Sequence, residues 1–88
     1  MGNESKATDS GAVAIGGGTE AGLSGTAIGY GTLASGYSTA IGLQSKTTGF
    51  GDIALGYTAK SSGMGSTAIG GEAAANANYA IAVGSFSK

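Results

Sequence analysis

The 88-residue sequence predicts an all-β solenoid of about six coils, each 13–14 residues long. Three observations predict it. The tripeptide Ala-Ile-Gly or a close variant recurs at Ala14-Ile15-Gly16, Ala27-Ile28-Gly29, Ala40-Ile41-Gly42, Ala54-Leu55-Gly56, Ala68-Ile69-Gly70 and Ala82-Val83-Gly84, with spacings of 13, 13, 14, 14 and 14. Spacing sustained in this way marks a repeat architecture, and a drift of one residue is what single deletions at turns leave. A second small residue (Gly22, Gly36, Gly49, Gly63, then Ala77) follows the first glycine of each unit after six or seven positions, so each unit has two corners and therefore two strands. Helix is disfavoured, because glycine recurs every seven residues or fewer and each one costs about 1 kcal/mol relative to alanine.

The first strand of each unit runs into the glycine column Gly16, Gly29, Gly42, Gly56, Gly70 and Gly84, which makes the turn. Side chains alternate along a strand. Ile15, Ile28, Ile41, Leu55, Ile69 and Val83 therefore share one face with Val13, Thr26, Thr39, Ile53, Thr67 and Ile81. The opposite face carries Ala14, Ala27, Ala40, Ala54, Ala68 and Ala82, preceded two residues earlier by Ala12, Gly25, Ser38, Ser66 and Ala80, with Asp52 the exception. Neither face has the composition of a solvated surface. The expectation is that the Ile column forms the core of the coil and that the Ala column faces partner chains, where the lack of bulk lets identical backbones approach. The row of Thr and Ile is read as core, not as an ice-binding ladder.

The second strand alternates differently. Thr19 and Ala21, Thr32 and Ala34, Ser45 and Thr47, Ala59 and Ser61, and Ala73 and Ala75 are all small and are expected to point inward. Gly18 and Glu20, Gly31 and Leu33, Gln44 and Lys46, Thr58 and Lys60, and Glu72 and Ala74 then form an outer wall carrying four of the repeat's charges. Tyr30, Tyr37, Phe50, Tyr57 and Tyr79 fall at corners and are expected to cap the ends of the core. Residues 1–10 read as a flexible polar lead-in. Residues 11–88 read as the roll, with an incomplete last coil after Gly84.

Composition excludes most chemistry. Gly (19), Ala (16) and Ser (11) make up over half the chain, and Cys, His, Trp, Arg and Pro are absent. No catalytic residue, metal ligand set or cofactor site is expected, and the chain is read as non-enzymatic. A net charge of −1 with four lysines offers no footprint for nucleic acid. No apolar run reaches the roughly 18 residues of a membrane span, and the start lacks a signal-peptide core. The dinucleotide pattern G-x-G-x-x-A at Gly29–Ala34 recurs out of phase at Gly49–Ala54 and Gly63–Ala68, as a by-product of glycine spacing. Only Asp9 and Asp52 are aspartates, 43 residues apart, against the one per turn of a calcium-binding roll. The sequon Asn3-Glu4-Ser5 carries no weight by itself.

The unit Ser/Gly-x-Ala-Ile-Gly-x-x-small-x-small-x-Gly resembles the head repeats of trimeric autotransporter adhesins, the YadA-like surface proteins of Gram-negative bacteria, from about Ala12 to Phe86. The resemblance implies a left-handed parallel β-roll, three chains packed side by side as a homotrimer, and a head exposed on the bacterial outer membrane that mediates attachment to host extracellular matrix or cells. It also implies that the chain is part of a longer protein, because the family's neck, heptad stalk and anchor strands are not in this sequence. The family's collagen-linked motif, Asn-Ser-Val-Ala-Ile-Gly-x-x-Ser, is matched at Ser38, Ala40, Ile41, Gly42 and Ser45 and departed from at Tyr37 and Thr39. Candidate ligand-facing residues are Tyr37, Ser38, Gln44, Ser45, Lys46 and Lys60. The alternative reading is a structural module, such as a spacer or part of a phage fibre, that supplies rigidity and trimer registration without binding a ligand.

Overall fold

The computed structural model describes Lys6–Ala7 and residues 11–85. The chain alternates between two parallel six-stranded sheets. The first holds β2 (Val13–Ile15), β4 (Thr26–Ile28), β6 (Thr39–Ile41), β8 (Ile53–Leu55), β10 (Thr67–Ile69) and β12 (Ile81–Val83); the second holds β1 (Lys6–Ala7), β3 (Glu20–Ala21), β5 (Leu33–Ala34), β7 (Lys46–Thr47), β9 (Lys60–Ser61) and β11 (Ala74–Ala75). Each strand pairs with the strand one coil away, so the molecule is a parallel β-solenoid with no helix among the described residues. Register follows the repeat: Ala14, Ala27, Ala40, Ala54, Ala68 and Ala82 stand directly opposite one another along the first sheet. Of the expected lead-in, residues 1–5 and 8–10 lie outside the described residues, but Lys6–Ala7 belong to the roll as the first rung of the second sheet, paired with Glu20–Ala21.

The two corners differ. The first, between a long strand and a short one, always has four residues (16–19, 29–32, 42–45, 56–59, 70–73), whereas the second has four at 22–25 and 35–38 and five at 48–52, 62–66 and 76–80. The drift in period is thus confined to the second corner. The first is fixed by its opening glycine. Gly16, Gly29, Gly42, Gly56, Gly70 and Gly84 have φ between 118° and 127°, a region closed to other L-residues. Their backbones also stack so closely that a Cβ on Gly56 would lie 2.6 Å from the carbonyl oxygen of Gly70. Hydrogen bonds run through this corner from coil to coil, as in Gly42 N–H to Ile28 O (2.9 Å) and Gly56 N–H to Ile41 O (2.8 Å).

The interior is built of small side chains only. The inward residues expected of the second strand are all buried: Thr19, Ala21, Thr32, Ala34, Ser45, Thr47, Ala59, Ser61, Ala73 and Ala75. Hydroxyls among them are satisfied locally, Thr19, Thr32 and Ser45 donating to the carbonyls of Gly16, Gly29 and Gly42 at 3.0–3.2 Å. A buried hydroxyl paired in this way avoids the desolvation cost of an orphaned one.

The first strand corrects the sequence expectation by exchanging its two columns. Ala14, Ala27, Ala40, Ala54, Ala68 and Ala82 are 0–5% exposed within a single chain and form its core with the Ala, Ser and Thr of the opposite sheet. They do not face a partner. The residues expected in the core (Ile15, Ile28, Ile41, Leu55, Ile69 and Val83) lie on the outside of the first sheet, half-buried or exposed, with Ile41 at 37% and Val83 at 62%. The reason is width. The Cα envelope is 11 Å across its thinnest dimension, and the facing wall is already filled by hydroxyl and methyl groups, so a four-carbon side chain has no room inside.

One charged residue lies in this core. Asp52 is fully buried in the column of Ser38 and Ser66. Its carboxylate accepts from Gly49 N–H and Ser66 N–H (both 2.9 Å), while its own N–H donates to Ser38 Oγ (3.1 Å). It therefore ties together three successive coils at the point where the second corner lengthens from four residues to five. Asp52→Ala is expected to leave two backbone donors without acceptors, at about 1–3 kcal/mol each, and Asp52→Asn, which keeps one acceptor, to lose less. Thermal unfolding of the two variants checks the ranking.

Candidate functional site

Two outer faces and two corner ridges are available to a partner. The first face is the outside of the first sheet, a stripe of Val13, Ile15, Ile41, Ile53, Ile81 and Val83, all exposed, with Thr26, Ile28, Thr39, Leu55, Thr67 and Ile69 half-buried between them. It is continuous over six rungs because the register places like on like. An apolar patch of this extent on a small chain marks an interaction surface.

The second face is the outside of the second sheet. Strand alternation and the register of β7 with β9 place Lys46 opposite Lys60. A groove of about 360 Å³ is lined by Gly31, Gln44, Lys46, Thr58 and Lys60. A smaller one beside it, about 150 Å³, is lined by Lys46, Thr48, Lys60, Ser61, Ser62 and Asn76. Both are open and without an aromatic ring.

Of the six candidate ligand-facing residues, the structure brings Gln44, Lys46 and Lys60 together in one groove. Ser38 and Ser45 are corrected: both are buried, Ser38 donating to the carbonyls of Gly36 (3.1 Å) and Gly49 (3.0 Å) and Ser45 to Gly42, because their strand positions have inward parity. Tyr37 is exposed at the second corner, apart from that groove, with its ring edge-on to Phe50 at a centroid distance of 4.7 Å. The aromatics do not cap the core; Tyr30, Tyr37, Phe50, Tyr57 and Tyr79 stand exposed along the corners, since the coil ends are closed by backbone hydrogen bonds and small residues.

Sequence reasoning passed over Thr58. It is the one described residue with a buried side-chain polar atom, Oγ1, that has no hydrogen-bond partner, and it has a φ of 52°. Gly18, Gly31, Gln44 and Glu72 fill the same turn position in the other coils with φ of 57–69°, and Thr58 is the β-branched one among them, an outlier in that conformation.

Among the described residues no three of His, Cys, Asp and Glu are placed to hold a metal ion. No curated protein and no solved structure matches the chain. A family model does, over nearly its whole length: the YadA head domain repeat (2 copies) matches residues 1–19, 21–45, 37–56, 48–73 and 61–87. The matched segments overlap along the stacked coils, so the repeat that sets the register of both sheets is the one the family is defined by, and the chain belongs to the YadA head domain repeat family.

Proposed function

We propose that the chain is the head of a trimeric surface adhesin, displayed beyond the outer membrane of a bacterium and attaching it to extracellular matrix or to cells. Membership of a family of adhesin heads supports the reading. The observation that carries the trimer is the apolar stripe on the first sheet. Fully burying an Ile or Val side chain contributes about 1.5–3 kcal/mol, and here a whole column of them lies outside a core made only of Ala, Ser, Thr and Asp. Three copies packed side by side on this stripe supply the large-residue core that a single coil is too narrow to contain. The interface is then the Ile and Val column, with the Ala column beneath it inside each chain.

Sedimentation equilibrium of the purified chain is expected to give the mass of a trimer, and Ile41→Glu, which puts a carboxylate on the stripe, is expected to shift it to lower mass. A trimer unaffected by Ile41→Glu places the interface elsewhere. Adhesion is tested by binding of the trimer to immobilised matrix components and to cells. Binding no higher than background to both identifies a spacer or fibre module instead.

A further inference from the structure

The outward column of the second sheet reads Lys6, Glu20, Leu33, Lys46, Lys60, Ala74 from end to end. Lys6 stands opposite Glu20, an opposite-charge pair across neighbouring strands. Lys46 stands opposite Lys60, one strand spacing away, or about 4.8 Å. Like charges directly opposite on a sheet are destabilising. Among the described residues neither lysine makes an ion pair, although Glu72 lines a neighbouring groove with Lys60. Lys46 and Lys60 thus line one open groove, and neither is held in an ion pair.

The rest of that groove fits the same chemistry. Gln44 contributes an amide, while Thr58 lines the groove with its Oγ1 buried and without a hydrogen-bond partner. Gln44 and Thr58 stand two residues after their corner glycines with φ of 57° and 52°, the left-handed turn position that Gly18, Gly31 and Glu72 fill in the other coils. An amide and two lysines that make no ion pair therefore meet in one open groove of the wall.

We propose that Lys46, Lys60 and Gln44 form an oxyanion site, and that its ligand is a sulfate group on an acidic polysaccharide. A sulfate ester offers three terminal oxygens, one for each of two ammonium groups and an amide, where a carboxylate offers two. The groove linings have no ring on which a nucleic-acid base would stack and no apolar pocket for a peptide side chain. The proposal rests on the reading of the chain as an adhesive head, of which it names the ligand chemistry.

The test is surface plasmon resonance of the 88-residue protein over an immobilised heparin-type polysaccharide and over the same polymer after desulfation. Wild type is expected to bind the sulfated form about tenfold more tightly, and the double variant Lys46→Gln, Lys60→Gln to lose about tenfold. Gln44→Gly is expected to keep or raise the melting temperature, since φ there is 57°, while weakening binding several-fold, which separates the site from the fold. Equal binding to both polymers overturns the proposal, and so does wild-type affinity in the double variant. Inorganic sulfate that competes at the same concentration of sulfate groups as the polymer assigns the site to the free ion and overturns the polysaccharide. Wild type that attaches to matrix or cells without binding the sulfated polymer overturns this site alone, whereas failure on every surface overturns the adhesive reading with it.

Discussion

Gly56→Ala is expected to abolish the folded state. The new Cβ would lie 2.6 Å from the Gly70 carbonyl oxygen and 2.8 Å from its carbon, and φ at Gly56 is 127°. Backbone cannot yield as a flexible side chain does, because each carbonyl is tied into the next coil; the Gly70 N–H donates to Leu55 O at 2.8 Å. Strain and clash together cost about 3–5 kcal/mol, comparable to the whole stability of a small domain, about 5 kcal/mol at the low end. Circular dichroism is expected to show loss of strand signal at 25 °C. Gly51→Ala is the control. Its φ of 72° is also left-handed, but nothing lies within 4 Å of the added methyl, so about 1–2 kcal/mol is expected. A melting temperature for Gly56→Ala within a few degrees of Gly51→Ala would show that the glycine stack relaxes.

Two neighbouring residues give the second large effect. Ala40→Glu is expected to unfold the chain, whereas Ile41→Glu is expected to weaken only its association. Ala40 is fully buried and packs in a cluster with Ala14, Ala21, Ala27 and Ala34, with no cation near to pair a carboxylate. The effective penalty for such a burial is several kcal/mol, and overpacking adds about 1–3 kcal/mol. Ile41 points the other way. If its role is in assembly, the melting temperature of Ile41→Glu should recover as protein concentration rises, by mass action, and that of Ala40→Glu should not. Recovery of both, or of neither, would remove the distinction between the two faces.

That contrast also shows what the residues could and could not tell. The positions of the corners, the alternation along each strand and the parallel register were legible, because Ala-Ile-Gly returns at nearly constant spacing and glycine at a corner has few substitutes. The outer wall was legible as well: Glu20, Lys46, Lys60 and Glu72 fall on one parity of the short strand, and all are exposed. Which face of the long strand points inward was not. Alternation separates Ala40 from Ile41 without saying which is inside, and hydrophobicity alone favours Ile. What decides is the distance between the sheets, set by corners of four residues and by Thr19, Thr32 and Thr47 opposite, information that lies in the coil as a whole. Asp52, the exception in its column, was no guide either; its burial depends on two backbone N–H groups, one of them a coil away at Ser66.

The candidate site was legible in part for a similar reason. Lys46 and Lys60 could be placed on the outer wall by parity, and their juxtaposition follows from a 14-residue offset once the register is known. Thr58 needed φ. A threonine two residues after a corner glycine looks unremarkable in a sequence rich in threonine, and only the backbone angle shows that this position, filled by Gly18, Gly31, Gln44 and Glu72 in the other coils, is left-handed throughout.

The uneven length of the second corner bears on how such a protein changes over generations. Both ladders stay in register whether that corner has four residues or five, so insertions and deletions there cost little, while any at the first corner would offset every glycine stacked above it. Loop closure entropy rises only slowly with length. Variation in a lineage of these coils should therefore gather along one edge of the roll, giving it a hypervariable margin on a constant frame, and the same edge is where a foreign peptide can be spliced for display without disturbing the stack.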